Sequence, residues 1–212
     1  MAETEERPGR PRVFLASRNA KKLDEMRRIL QMHLPEVAVL GLDDVTTYAE
    51  PVEYQPTFEG NALLKAHAGA SATGLPSLAD DSGLCVDALN GMPGVLSARW
   101  AGVAKDDAEN NRLLLEQLAD VPDERRGGAF RCAVALVVPD GAEVVVHGEM
   151  AGRVIREQRG TGGFGYDGLF VPRDLPGGLT SAELTPEDKD AVSHRGRALR
   201  EIAPLVVGAL RG

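Results

Sequence analysis

Short apolar runs alternate with segments of helical period through the first half of this chain, and a hairpin signal arrives only in the second half. That order restricts the fold more than any other property of the sequence. Residues 13–16 read as a strand and residues 17–19 as a turn. A helix follows from Ala20, with Leu23, Met26, Ile29 and Leu30 on one face and Asn19 placed as its N-cap. Residues 37–40 read as a second strand, ended by Gly41. Residues 43–57 are polar, carry Pro51 and Pro56, and read as a loop. Phe58, Ala62, Ala66 and Ala70 then step by four, which predicts a helix over 58–73 stopped at Gly74-Leu75-Pro76.

Residues 77–87 read as a strand that gives way to a Ser82-Gly83 turn. Residues 90–105 are irregular, and 106–118 predict another helix. Strands over 130–138 and 144–147 are joined by Pro139-Asp140-Gly141 as a hairpin. Residues 160–168 form a glycine-rich loop. Pro186 follows Thr185 as at a helix start, and a final helix is expected over 193–210. Early alternation with a later hairpin predicts an α/β fold: a mixed central sheet flanked by helices, in two lobes. The 212 residues suit a single domain over 12–212, behind a flexible, charged, proline-bearing tail over 1–11.

Composition narrows the function. A formal net charge of −8 disfavours general nucleic-acid or anionic-membrane binding, which needs a basic face. No stretch approaches the about 18–20 apolar residues of a membrane span. The start of the chain lacks the apolar core of a signal peptide. Cys85 and Cys132 sit apart inside apolar runs and read as buried thiols, not as a disulfide or a zinc site. A cytoplasmic enzyme or binding protein is the expectation.

Four segments carry candidate chemistry. In Ser77–Asp87, Asp80 and Asp81 lie side by side with no compensating charge next to them. Their repulsion costs stability unless a cation or a proton-accepting role makes use of it. Ser17-Arg18-Asn19-Ala20-Lys21-Lys22 opens a helix with two lysines where the dipole disfavours them; a bound phosphate reverses that sign. The run of glycines that defines a P-loop is absent. Asn61 and Lys65 share a helix face, and Glu53 precedes them; with Asp80 and Asp81 this makes a possible oxygen-rich magnesium site. In Gly160–Gly168, Phe164 could stack on a planar base and Asp167 could accept from base edges, whereas a purely structural loop is the competing reading. Lys189 and the pair His194-Arg195 add positive charge near the last helix.

Taken in order, SRNAKKLDE, FEGNALLKA, LADDSGL, GMPGVLSARWAG, GTGGFGYD and SHRGRAL resemble the motifs of the inosine triphosphate pyrophosphatase family, across about residues 12–210. The resemblance implies an elongated two-lobed fold with a substrate cleft, a magnesium cofactor and a homodimer. It implies hydrolysis of ITP, dITP and XTP to the monophosphate and pyrophosphate. Asp81 would be the catalytic carboxylate, with Asp81 and Glu53 as metal ligands and Asp80 in support. Ser17, Arg18, Asn19, Ala20, Lys21, Lys22 and Lys65 would bind the triphosphate. Ser82, Phe164, Gly165, Tyr166, Asp167, Lys189, His194 and Arg195 would bind the nucleotide. The chain departs from the family's frequent residues at Arg18, Gly60, Met150 and Gly168. The rivals are a pyrophosphatase for another modified nucleotide and a nucleotide-sensing module without turnover. Alternation along a strand would give the two carboxylates different duties, Asp81 toward metal and water and Asp80 toward a supporting partner.

Overall fold

The computed structural model of the protein describes residues 10–49 and 51–210. The tail expected over 1–11 falls outside them except for its last two residues.

One six-stranded sheet organises the chain, in the order β2-β1-β3-β4-β5-β6. β1 (Arg12–Leu15) lies parallel to both β2 (Ala38–Leu40) and β3 (Ser77–Val86). β3, β4 (Gly127–Val137), β5 (Glu143–Val154) and β6 (Phe170–Pro172) pair antiparallel in succession. The sheet is therefore mixed, as the order of elements implies. A parallel neighbour requires a crossover, and α1 (Ala20–His33) and α2 (Phe58–Thr73) supply them.

The helices form where their local signals place them. Asn19 Oδ1 accepts the Lys22 N–H at 3.2 Å and starts α1. Thr57 accepts the Gly60 N–H at 3.1 Å and starts α2, and Gly74, at φ 66°, ends it in the left-handed region that glycine tolerates. α1 and α5 (His194–Ala209) cover one face of the sheet through Met26, Ile29, Leu30, Leu199, Ile202 and Val206 against Val13, Leu15, Leu78 and Val134. α2 covers the other face with Ala62, Ala66 and Ala70 against Phe14, Ala79, Ala133 and Ala135. Alanines let the helix approach the sheet closely. A separate core gathers Leu84, Val86, Phe130, Met150, Val154 and Phe170 with Leu114 of α3 (Asp107–Gln117) and Leu118, the residue that caps its C-terminus. Both cysteines are buried free thiols. Among the described residues no helix is long and apolar enough to cross a membrane.

Two expectations need correction, and one strand was not foreseen. Ser82-Gly83 is not a turn: β3 runs straight through it, with Gly83 opposite Arg131. The glycine serves packing instead. A Cβ there would overlap Ser97 Oγ and the carbonyl of Gly94, which belong to a 3-10 segment, Gly94–Arg99, laid against β3. The hairpin strands are also longer than their apolar runs, because small and polar residues such as Gly127, Gly128 and Gly148–Gly152 are carried by ladder pairing. The short strand β6, which has little periodicity of its own, is recruited as the edge partner of β5.

Candidate active site

Residues 80–83 are the stretch of β3 between the first two cores and the third. A cleft of about 350 Å³ opens there. Asp80 and Asp81 are adjacent on an extended strand, so their side chains leave opposite faces of the sheet.

Asp80 faces α1 and α5 and is 1% exposed. Its Oδ2 accepts from Lys22 Nζ, Arg195 Nε and Arg195 Nη2, each at 3.1 Å, and from Ser82 Oγ at 3.2 Å. Burial opposes its ionisation, but Lys22 and Arg195 outweigh burial and hold the carboxyl well below the usual carboxylate range. Arg195 is itself 1% exposed and also donates to Glu25 and, at 2.8 Å, to Ser82 Oγ. Asp80 thus sits inside a buried charge network and is not among the residues lining the cleft.

Asp81 faces α2. Asn61 Nδ2 donates to its Oδ2 at 3.0 Å, and Lys65 Nζ stands 3.6 Å from its Oδ1. Here burial dominates and raises the carboxyl's pKa, with Lys65 and Lys22 opposing it only in part. The same Lys65 ammonium donates to Glu53 Oε1 at 2.6 Å. Burial would deprotonate Lys65, yet Asp81, Asp80 and Glu53 together raise its pKa, so it stays charged. Burial raises the pKa of Glu53, but Lys65, with smaller help from Lys22 and Lys105, lowers it overall and holds the group as a carboxylate. Arg99 Nη2 fixes the loop by donating to the Glu53 carbonyl at 3.2 Å.

Two carboxylates from distant segments therefore converge on one positive centre. Among the described residues no group of three His, Cys, Asp or Glu side chains gathers. A pair suits magnesium, which is commonly held by one or two carboxylates plus substrate phosphates. The donor set fits that ion.

At the other end of the cleft the glycine-rich loop is pinned by its own acid. Asp167 Oδ2 accepts the Phe164 N–H and Lys189 Nζ, both at 2.8 Å. Gly163, at φ 69°, passes so close that a Cβ would overlap Asp167 Oδ2. Lys189 Nζ stands 4.7 Å over the Phe164 ring and Arg195 5.7 Å from its centre. His194 stacks on Phe130 with ring centres 5.0 Å apart. Burial first, then Arg195 and Lys189, keep it from protonating, and its Nδ1 is buried without a hydrogen-bond partner.

Of the residues singled out from the sequence, Ser17, Arg18, Asn19, Lys22, Glu53, Lys65, Asp81, Ser82, Phe164, Gly165, Tyr166, Asp167, Lys189, His194 and Arg195 line this one cleft. Ala20 and Lys21 do not; the helix turns the exposed Lys21 away. Sequence reasoning missed Gly83, Ser97, Lys105, Asp107 and Phe130 on the cleft wall. Asp107 Oδ2 accepts the Gly165 N–H, and Asn111 Nδ2 donates to the Gly165 carbonyl, both at 2.8 Å, so α3 anchors the glycine-rich loop. The doubled acid Asp106-Asp107 was the available signal. Asp106 is consumed as the helix cap, which leaves Asp107 for another task.

The Ham1 family pattern matches residues 13–205. The chain belongs to the Ham1 family. It is 63% identical to the dITP/XTP pyrophosphatase of Nocardia farcinica over 194 residues, covering 91% of this chain and 93% of that protein. It is 57% identical to the dITP/XTP pyrophosphatase of Cutibacterium acnes, covering 95% and 98%. The Ham1 protein of Staphylococcus aureus superposes with a TM-score of 0.82 at 34% identity, covering 93% of this chain and 98% of that one.

Proposed function

We propose that this Ham1 family protein hydrolyses dITP, XTP and ITP to the monophosphate and pyrophosphate, acting through residues 12–212 as one domain. The observation that carries the reading is the cleft-facing Asp81, buried, oriented by Asn61 and sharing Lys65 with Glu53. A phosphoanhydride needs an activated water and neutralised charge more than it needs a covalent nucleophile.

Asp81 supplies the first need. Asn61 occupies Oδ2, which leaves Oδ1 for the water. Burial makes this carboxylate a stronger base than an exposed aspartate. The water oxygen attacks the α-phosphorus, its proton passes to Asp81, and the bond to the α–β bridging oxygen breaks to release pyrophosphate. Lys65 and Lys22 stand at this end of the cleft and bind phosphate oxygens. Glu53 and Asp81 would hold magnesium, which supplies further charge neutralisation on the phosphates.

Phe164 offers a stacking surface for the purine, backed by the cations of Lys189 and Arg195. A 6-keto purine presents an acceptor at O6 and a donor at N1. Adenine reverses both and would leave the site's polar groups unpaired, a mismatch worth orders of magnitude in selectivity. The protein works in the cytoplasm as a homodimer in this reading. Purified protein with magnesium and ITP is expected to release pyrophosphate and IMP. Orthophosphate as the sole first product would overturn the proposal, and a panel of XTP, GTP and ATP reads the base preference.

A further inference from the structure

We infer that Lys105 is a further binding residue for the polyphosphate end of the substrate, gripping the portion that departs as pyrophosphate. Lys105 lies on the wall of the cleft that also holds Lys22, Lys65 and Glu53, but it comes from the loop ahead of α3 and not from α1 or α2. The segment that carries it is tied at its start to Glu53, whose carbonyl accepts from Arg99 Nη2 at 3.2 Å and whose carboxylate stands 3.9 Å from Arg99 Nη1, and the charge of Lys105 is felt at Glu53. The side chain is exposed and makes no ion pair with any described residue.

The neighbouring acids do not neutralise it. Asp106 is turned to the N–H groups of Ala108 and Glu109, and Asp107 to that of Gly165. The backbone of Lys105 itself sits at φ 53°, a left-handed conformation that a lysine adopts at a cost. The loop is held there from both sides: Arg99 ties its start to Glu53, and Asp107 ties its end to the glycine-rich loop. An uncompensated ammonium is thus presented by a braced loop to the cleft that the lysines of α1 and α2 also line. An anion at that end of the cleft meets positive charge from three segments.

The inference rests on the pyrophosphatase reading, and wild-type turnover of ITP tests that reading separately. Equilibrium binding tests Lys105 without turnover. Inorganic pyrophosphate with magnesium is titrated calorimetrically into the full chain and into Lys105→Ala. The affinity is expected to fall about three- to tenfold, the scale of a partly exposed charge-assisted contact. IMP affinity is expected to stay unchanged, and Lys105→Arg is expected to recover most of the loss. In turnover, KM for ITP rises by the same factor with kcat within about twofold, as for a contact made equally before and during the reaction. Unchanged pyrophosphate affinity in Lys105→Ala, or an equal loss for IMP, would overturn the assignment.

Discussion

Replacing each of the two adjacent carboxylates by its amide should give opposite results. In Asp80→Asn, Oδ2 ceases to be an anion while Lys22 and Arg195 remain around it, and Arg195 is 1% exposed. Breaking a buried charge pair from one side costs about 3–5 kcal/mol. The amide oxygen still accepts hydrogen bonds, so the lower figure, about 3 kcal/mol, is expected. For a chain of this size each kcal/mol moves Tm by about 2–4 °C, so a fall of about 6–12 °C follows. In Asp81→Asn, the residue lost is one whose charged form is already disfavoured by burial. Stability should change by no more than about 1 kcal/mol, while pyrophosphate release falls by about 10²-fold or more, the scale of a lost general base. The linkage signs separate the pair as well. Asp80, depressed in the folded state, contributes stability at neutral pH that is lost as pH falls below its unfolded value of about 3.9. Asp81, raised in the folded state, binds its proton first when folded, so its ionisation lowers stability as pH rises above that value. Urea unfolding followed by the single tryptophan and initial rates at saturating ITP and magnesium measure both. Wild-type stability in Asp80→Asn, or near wild-type turnover in Asp81→Asn, would refute the division of labour.

Gly83→Ala should destabilise the protein by about 1–3 kcal/mol and raise KM, because the added Cβ pushes on the Gly94 carbonyl and Ser97 beside the cleft; unchanged urea midpoint and KM would show that the 94–99 segment yields freely. His194, buried and neutral, has a folded pKa below its unfolded value of about 6.5, so the unfolded chain takes the proton first and stability is lost as pH falls below that value, at up to about 1.4 kcal/mol per pH unit. Urea midpoints at pH 7.5, 6.5 and 5.5 should show this fall in the native protein and a shallower one in His194→Phe; parallel slopes would assign the effect to other groups.

Much of the helical frame was legible along the chain. Asn19, the four-residue alanine step of α2 and the Gly74 stop act within one or two turns of backbone, so their signals are local and survive in the structure. The approach of Glu53, from the loop before α2, to Asp81 was foreseen as a candidate site, and Lys65 is found between them. The continuation of β3 through Ser82-Gly83 was not. Its ten residues are paired with β4, some fifty positions away by the register of Ser77 with Val137 and Val86 with Gly128, and ladder partners at that distance override a local turn preference.

The sequence by itself determined the alternation of helices and strands, the family and the roster of charged residues available to a nucleotide. Only the tertiary structure decided what each charge does. Asp80 and Asp81 are chemically identical neighbours, yet the pleat sends one into Lys22 and Arg195 and the other toward Lys65 and the cleft. Their different surroundings push the two carboxyls in opposite directions, because electrostatics depends on distance and burial in space and not on position along the chain.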